Sequence, residues 1–103
     1  MIKLVDALPH TRTANTIGNQ LLRAGTSEVA NYRSACRSRS KVEFIAKISI
    51  SIEEADECLY WMELLIESGI IPQERLTDLM QEANEFIAIF ISSAKTARSN
   101  LRK

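Results

Sequence analysis

Apolar residues recur at intervals of three and four along almost the whole chain, which is the spacing of one helical face. The pattern predicts four helices, at residues 1–8, 13–37, 40–67 and from Pro72 to near the C-terminus. Pro9 ends the first of them after barely two turns, which is marginal for a helix standing alone. The stripes of the three long helices contain these apolar positions: Ala14, Ile17, Leu21, Val29, Tyr32 and Cys36; Ile45, Ile48, Ile52, Ala55, Leu59, Met62 and Ile66; Leu76, Leu79, Ala83, Phe86, Phe90, Ala94, Ala97 and Leu101.

Local signals mark the ends and a weak point of these helices. Ser40 followed by Glu43 has the spacing of a capping box, so the third helix begins there. Gly69 is a natural left-handed residue at its C-terminus, and Pro72 is a favourable first residue for the fourth helix. Gly25 weakens the second helix, and we expect a kink near residues 25–27.

Short connections decide the predicted architecture. The helices are joined by about two to four residues, and such links make consecutive helices antiparallel neighbours. The alternating Ile and Ser of residues 48–52 would suit a strand, but they lie inside a long heptad pattern and are interpreted as helix. We predict an all-α, up-down-up-down antiparallel four-helix bundle with a short first helix, forming a single domain over residues 1–103.

Composition agrees with a soluble globular chain, since 46% of the 103 residues are apolar and 25% are charged. No signal peptide or membrane-spanning run is apparent, so the predicted location is the cytoplasm and no membrane partner is expected. Cys36 and Cys58 lack CxxC spacing and are expected to be half-buried, reduced thiols.

Charge is unevenly distributed although the formal net charge is zero. Residues 1–52 carry eight Lys or Arg against three acids, residues 53–85 carry ten acids against Arg75, and residues 86–103 carry four bases and no acid. Such blocks predict oppositely charged faces or ends, which attract a polyanion or pair between subunits.

Catalytic chemistry finds little support in the sequence. His10 is the single histidine, no Glu-x-x-His pair exists for a di-iron site, and no glycine-rich phosphate loop is present. The acidic cluster at residues 53–57 is interpreted as a solvated face or as a partner for arginines of another subunit. We therefore predict no enzyme, no catalytic or metal-binding residues, no cofactor and no small-molecule substrate.

A basic turn joins the second and third predicted helices and is the best candidate for nucleic-acid binding. Arg33, Arg37, Arg39 and Lys41 surround it, and Ser38 and Ser40 offer hydroxyl groups to a phosphate backbone. The alternative interpretation is that these arginines pair with the acidic block of residues 53–85. RNA or DNA is thus a candidate partner, with ion pairing to the acidic block, within or between subunits, as its competitor.

Self-association is predicted from apolar residues that the core does not need. Tyr60 and Trp61 cannot both face the stripe of the third helix, so Trp61 is either a lid on the bundle or an interface anchor. Ile87 and Ile91 widen the stripe of the fourth helix beyond the needs of one neighbour. These four residues form the predicted oligomer interface.

Three segments carry a family resemblance over nearly the whole chain from about Leu8: LLRAGTSEVANYRSACRSRSKVEFIAKI, EEADECLYWMELL and EANEFIAIFISSAKTAR. Together they resemble the bacterial four-helix-bundle family of 23S ribosomal RNA intervening-sequence proteins. The resemblance implies a ring, typically a homopentamer, of unestablished biochemical function. A related branch, the accessory proteins of diversity-generating retroelements, forms a basic pentameric barrel that binds nucleic acid and a reverse transcriptase.

The family signature in the second helix corresponds to Arg23, Ala24, Ser27, Ala30 and Asn31. By the resemblance, residues 21–32 form a close contact of small residues, in which Ser27 and Asn31 satisfy buried polar groups. Two positions depart from the pattern: relatives carry an aliphatic residue where this chain has Glu28, and Gly or Pro where it has Val29. We expect Glu28 to pair with Arg23 or Arg33, or to lie exposed, because a buried unpaired carboxylate is costly. Relatives also carry two to three more turns before the first predicted helix.

These observations lead to two functional hypotheses. The first is a non-enzymatic, homo-oligomeric helical bundle that binds RNA or DNA through a basic turn repeated around a ring. The second is a structural or protein-partner scaffold, such as an accessory subunit of another enzyme, without nucleic-acid binding.

Overall fold

The computed structural model describes residues 1–101, which fold into α-helices without any strand. The helices are α1 (Ile2–Asp6), α2 (Arg12–Cys36), α3 (Lys41–Glu67) and α4 (Thr77–Leu101), and a 3-10 turn at Gln73–Arg75 precedes α4. The described part is elongated, with extents of 52 × 20 × 16 Å. The predicted all-α class and the predicted bundle of four helices are confirmed.

Side-chain caps set the beginnings of two long helices. The Thr11 Oγ1 accepts a hydrogen bond from the Ala14 amide at 3.1 Å, and the Ser40 Oγ accepts one from the Glu43 amide at 3.1 Å. Each bond satisfies a backbone donor that the first turn leaves unpaired. The predicted start of α3 at Ser40 is therefore confirmed.

The end of α3 is a Schellman motif built on Gly69. The glycine has φ +74°, its amide donates to the Ile66 carbonyl at 3.0 Å, and the Ile70 amide donates to the Leu65 carbonyl at 3.1 Å. The left-handed conformation turns the chain back over the end of the helix, and Ile71 then enters the core. The predicted role of Gly69 is confirmed.

Two helix boundaries differ from the prediction. Helix α4 begins at Thr77 and not at Pro72, because Pro72 is extended (ψ 148°) and is followed by the 3-10 turn. Ile71 and Leu76, on either side of this irregular segment, are both buried. A helix that began at Pro72 would change the positions of these two side chains relative to each other. Helix α1 ends at Asp6, since Leu8 turns inward and packs against α2 at Gly18.

Helix α2 continues without interruption through the predicted kink at Gly25. The glycines have another use here, because α1 lies directly against them. Val5 and Leu8 approach Gly18, and the Met1 side chain lies against Gly25 so closely that a Cβ atom would collide with its sulfur. The small residues of α2 therefore admit α1 at close range, while Ala24 faces the core.

Two hydrophobic clusters form the core, one towards each end of the bundle. The cluster nearer α1 contains Leu8, Ala14, Ile17, Leu21, Ala24, Cys58, Met62, Leu65, Ile71, Leu76 and Ala83. The other contains Ala35, Ile48, Phe90 and Ala94. Between them the buried Ser51 hydroxyl donates to the Glu28 carbonyl at 3.0 Å, which ties α3 to α2.

Helix α3 is the central element, because it packs extensively against both α2 and α4. Helices α2 and α3 run antiparallel, since Arg23 meets Glu57 whereas Glu28, one turn later on α2, meets Ser51, which lies earlier on α3. The complete up-down-up-down order of all four helices stays a prediction. The cysteines differ from the expectation: Cys58 is fully buried in the core and Cys36 is exposed at the end of α2.

Replacing Gly69 by Ala tests the helix end. We expect a loss of about 1 kcal/mol in the free energy of unfolding, because the left-handed backbone is strained for any residue with a Cβ atom. No atom lies within 4 Å of the added methyl group, so the loss reports backbone strain alone. Urea unfolding measures it, with Gly69→Asn as the control that loses less; equal stability of the Ala variant and the parent would contradict the assignment.

Candidate functional site

The predicted basic turn is exposed, but its four cationic residues are not gathered in one place. Arg39 and Lys41 line a shallow hollow of about 360 Å³ at the α2–α3 turn, together with Ser38 and Ser40. Arg37 is the C-terminal cap of α2, and Arg33 lies one turn earlier at the end of a different groove. All four cations lie on the surface at the same end of the bundle.

Helix packing brings further bases to this end. The cluster of Ala35, Ile48 and Ala94 holds the C-terminal half of α4 beside the α2–α3 turn. Exposed Lys95 and Arg98 therefore lie near the basic turn, and Glu43 is the single acid within residues 33–47 and 95–98. The folded chain thus has a cationic end, defined by these bases: Arg33, Arg37, Arg39, Lys41, Lys47, Lys95 and Arg98.

Within one subunit, the arginines of the turn make no ion pair with the acidic block over residues 1–101, and pairing between subunits stays a prediction. Arg23 makes the ion pairs found there: its guanidinium donates to Glu54 at 3.0 Å and to Glu57. Arg23 therefore links α2 to α3, and its contact with Glu57 lowers the pKa of that carboxyl, helped by a hydrogen bond from Trp61.

The serines of the turn are partly committed to the backbone. The Ser38 hydroxyl donates to the Ser34 carbonyl at 3.1 Å, and the Ser40 oxygen caps α3. The Ser40 hydroxyl hydrogen remains free to donate, because its bond to Glu43 uses the oxygen as acceptor. Of the two serines, Ser40 is therefore the better donor for a phosphate.

The residues of the predicted oligomer interface have different environments. Trp61 is half-buried against the core cluster near α1, and its Nε1 donates to Glu57 at 3.0 Å. Tyr60 is exposed and meets the Trp61 ring edge to face at 4.9 Å between centroids. On α4, Ile87 is half-buried and Ile91 is 50% exposed. Trp61 thus packs on the core cluster, while Tyr60 and Ile91 present apolar surface to the outside, and the contact of these four residues with a second subunit stays a prediction.

A groove between α2 and α4 has a volume of about 780 Å³, and Lys3 of α1 belongs to its lining. Its walls are mostly apolar: Met1, Leu22, Gly25, Val29, Leu79, Ala83 and Phe86. Glu28 and Cys58 contribute to its lining, Glu82 adds a second carboxylate, and Arg33 lies at one end. The sequence did not predict this groove, because the apolar pattern of each helix gives no information about the space between α2 and α4.

Glu28 contradicts both sequence expectations, since it is neither exposed nor paired with Arg23 or Arg33. Only 9% of its surface is accessible, and its Oε1 accepts a hydrogen bond from the Cys58 thiol at 4.0 Å. A thiol is a weak donor. The position itself gave the signal: with Leu21, Ala24 and Ala35 it follows the inward stripe of α2 at spacings of three, four and seven. The apolar stripe places a carboxyl inside the bundle, and Arg23, one of the two arginines five residues away, is held by Glu54 and Glu57 of α3.

Burial dominates the electrostatics of Glu28. It raises the pKa of the carboxyl to about 7, and the negative charges of Glu82 and Glu54 add to the effect. Burial also raises the pKa of the Cys58 thiol to about 12, and the negative charge of Glu28 is the next largest cause. The thiol therefore stays protonated near neutral pH, whereas Glu28 changes its charge there.

The chain matches a known protein family along most of its length. Residues 1–92 match the family described as 23S rRNA-intervening sequence protein. The chain belongs to this family. A solved structure from Bacteroides thetaiotaomicron VPI-5482, of unknown function and assigned to the S23 ribosomal protein family, is 38% identical. The match has a TM-score of 0.74 and covers 77% of this chain and 73% of that chain. No curated protein matches the chain.

The intervening-sequence signature has a structural explanation at several positions. Arg23 links α2 to α3, and Ala24 is fully buried in the core. Asn31 donates to the Ser27 carbonyl at 2.9 Å and to the Ser27 hydroxyl at 3.3 Å. These two residues therefore bond to each other within α2, and the polar link to another helix is made by Ser51, which no sequence pattern marked.

Within residues 1–101, no group of three or more His, Cys, Asp or Glu side chains is arranged to hold a metal ion. None of the helices in that range combines the length and hydrophobicity needed to cross a bilayer.

We expect Glu28 to make the free energy of unfolding depend on pH. The pKa of Glu28 is higher in the folded chain than in the unfolded chain, so the folded chain binds the proton more tightly. This contribution to stability is fully present below about pH 4.5 and is lost as the pH rises to about 7. We expect Glu28→Gln to be more stable than the parent by about 2 kcal/mol at pH 8. The gain should shrink as the pH falls towards 5.

Urea unfolding at both pH values measures this difference. Glu53→Gln is the matched control, because Glu53 is an exposed acid on α3 and its replacement should change stability little at either pH. A Glu28→Gln variant that is less stable than the parent at pH 8, or equally altered at pH 5, would contradict the buried unpaired carboxylate.

Proposed function

We propose that the chain is a non-catalytic interaction protein that binds the backbone of RNA or DNA through its cationic end. One observation carries the proposal: the bases of the α2–α3 turn are exposed, and α4 adds Lys95 and Arg98 at the same end. Within residues 1–101 none of these cations makes an ion pair, so their charge is available to a ligand.

Phosphate recognition suits these residues for physical reasons. Each contact between Lys or Arg and a phosphate releases counterions, so binding gains free energy at low salt without reading the base sequence. Arginine presents a planar fork of donors that matches two phosphate oxygens. The Ser40 hydroxyl beside Lys41 adds a neutral donor. The surface thus suits backbone binding more than base-specific readout.

Self-association strengthens the proposal. The family resemblance implies a homopentamer, which would present the cationic end once per subunit. Repetition of a weak site raises the overall affinity for a long polyanion through effective concentration. Exposed Tyr60 and Ile91 are the candidates for the contact between subunits, since large apolar side chains on the surface often mark interfaces.

A protein-partner scaffold is the second candidate function. The groove between α2 and α4 favours it, because its apolar walls are open to solvent and do not belong to the cationic end. In this alternative the chain would support another protein and would show no affinity for nucleic acid.

Replacing Arg33, Arg37 and Arg39 together by Ala tests nucleic-acid binding. We expect affinity for a fluorescent single-stranded RNA to fall at least tenfold at low salt, because three phosphate contacts are lost. The slope of log affinity against log salt should also flatten, by about one for each contact removed. Fluorescence anisotropy over a salt series gives both quantities.

The control variant removes the same charge from the opposite end. Arg12 and Arg75 lie at the start of α2 and in the 3-10 turn, so their replacement by Ala should leave the salt slope unchanged, whereas the matched pair Arg37 and Arg39 replaced by Ala should flatten it. Equal loss in both double variants would indicate a general charge effect. No RNA or DNA binding by the parent at low salt would favour the scaffold.

Native mass spectrometry tests self-association. Five chains of 11.6 kDa give a species of about 58 kDa for the parent. Ile91→Asp should shift the distribution to smaller species, because it places a charge on the exposed apolar surface of α4. Val42→Asp, which changes an equally exposed residue on the first turn of α3, should leave the assembly intact. A monomeric parent would exclude the ring.

A further inference from the structure

The hollow at the α2–α3 turn has a lining of mixed chemistry. Its volume is about 360 Å³, and every described residue around it lies within positions 35–44, at the end of α2 and in the first turn of α3. The polar part of the lining consists of Ser38, Arg39, Ser40 and Lys41. The apolar part includes the Phe44 ring and the Ala35 methyl group. Because one turn of the chain supplies this lining, a single subunit forms the hollow.

The Phe44 ring is fixed by the core and is also open to the hollow. It packs against the core cluster that contains Ala35 and Ile48, yet it is only partly buried. Phe44 follows Lys41 by three residues and Ser40 by four, so all three lie on one face of α3. A ring that packing already holds in one position loses little further conformational entropy when a flat ligand covers it.

The two parts of this lining match the two parts of a nucleotide. Arg39 and Lys41 are exposed and make no ion pair within residues 1–101, so both can bind a phosphate group. The Phe44 ring can stack on the face of a base. A simple anion would leave this ring uncovered, whereas an apolar ligand would remove water from two charges without pairing them. The volume lies at the lower end of the range for small-ligand sites, which suits one nucleotide.

Only an unpaired base can reach an aromatic ring in a hollow. In a duplex the faces of the bases are stacked on one another, and only their edges are open in the grooves. A single strand can turn a base outwards and present its whole face. The phosphates on either side of that base would then lie over the remaining cationic side chains at this end of the bundle.

We propose that the hollow binds one nucleotide of a single-stranded nucleic acid, whose base stacks on Phe44 while Arg39 and Lys41 bind its phosphate. The Ser40 hydroxyl beside Lys41 donates to the same phosphate group. Stacking does not read the sequence, because every base has an aromatic face. The assignment rests on the proposed function and adds to it the class of nucleic acid, a single strand and not a duplex.

A strand without bases separates stacking from phosphate binding. The first probe is a fluorescent strand of about ten deoxythymidines, and the second is the same strand with a hydrogen atom in place of every base. Both carry the same phosphate charge, so their affinities should depend on salt in the same way. We expect the parent to bind the thymidine strand on the order of tenfold more tightly, because one stacked base contributes a factor of this size. Fluorescence anisotropy gives both affinities.

Phe44→Leu should lose the preference for the thymidine strand and keep the parent's affinity for the strand without bases. Leucine still packs against the core cluster but has no aromatic face. The matched control is Tyr60→Leu, which removes an exposed ring about 24 Å further along α3 and should keep the preference. Phe44→Trp should also keep it, and the thymidine strand alone should quench the fluorescence of the introduced indole. A merely structural role of Phe44 would give no such quenching.

Several results would overturn this assignment. Equal affinity of the parent for both strands would limit binding to the backbone and leave the proposed function intact. A preference that persists in Phe44→Leu would place the stacked base elsewhere. Displacement of the thymidine strand by an equal nucleotide concentration of deoxythymidine monophosphate would assign the hollow to a free nucleotide. Absence of binding to both strands at low salt would overturn the proposed function as well.

Discussion

The arrangement of the molecule depends on the double packing of α3. Its buried residues, from Ile48 to Leu65, contact α2 on one side and α4 on the other, and the two core clusters both contain them. On the other side of the bundle, the Tyr32 ring of α2 meets the Phe90 ring of α4 at 5.3 Å between centroids. Helix α1 lies over α2 nearer the opposite end, against Gly18 and Gly25. The two outer helices are therefore held mainly through their contacts with α3.

The same packing separates charge along the long axis. Since α2 and α3 are antiparallel, the bases around the turn lie at the opposite end from residues 57–85, and Arg23 bridges only to the acids at the middle of α3. The C-terminal half of α4, which has no acid, then joins the cationic end through Ala94. A chain with zero net charge therefore presents a strong local potential, which net charge alone conceals.

Periodicity and capping predicted most of the fold. Ser40 and Gly69 gave the two ends of α3 because a cap depends on a few neighbouring residues, and the inward stripes depend only on spacing. The predicted start of α4 was wrong, because proline is compatible with the first turn of a helix and with an extended conformation. The burial of Ile71 and Leu76 favours the extended conformation at Pro72. The exposure of the basic turn followed from its sequence. The environment of Glu28 did not, because it depends on where Arg23 finds its partners on another helix.

Glu28 makes the stability of the fold depend on pH. A buried carboxylate beside a thiol, with Glu82 and Glu54 as further negative charges, weakens the folded state as it ionises near neutral pH. An aliphatic side chain at this position would remove that cost and continue the apolar stripe of Leu21 and Ala24. The carboxylate therefore lowers the stability of the helix contact that the rest of the stripe builds.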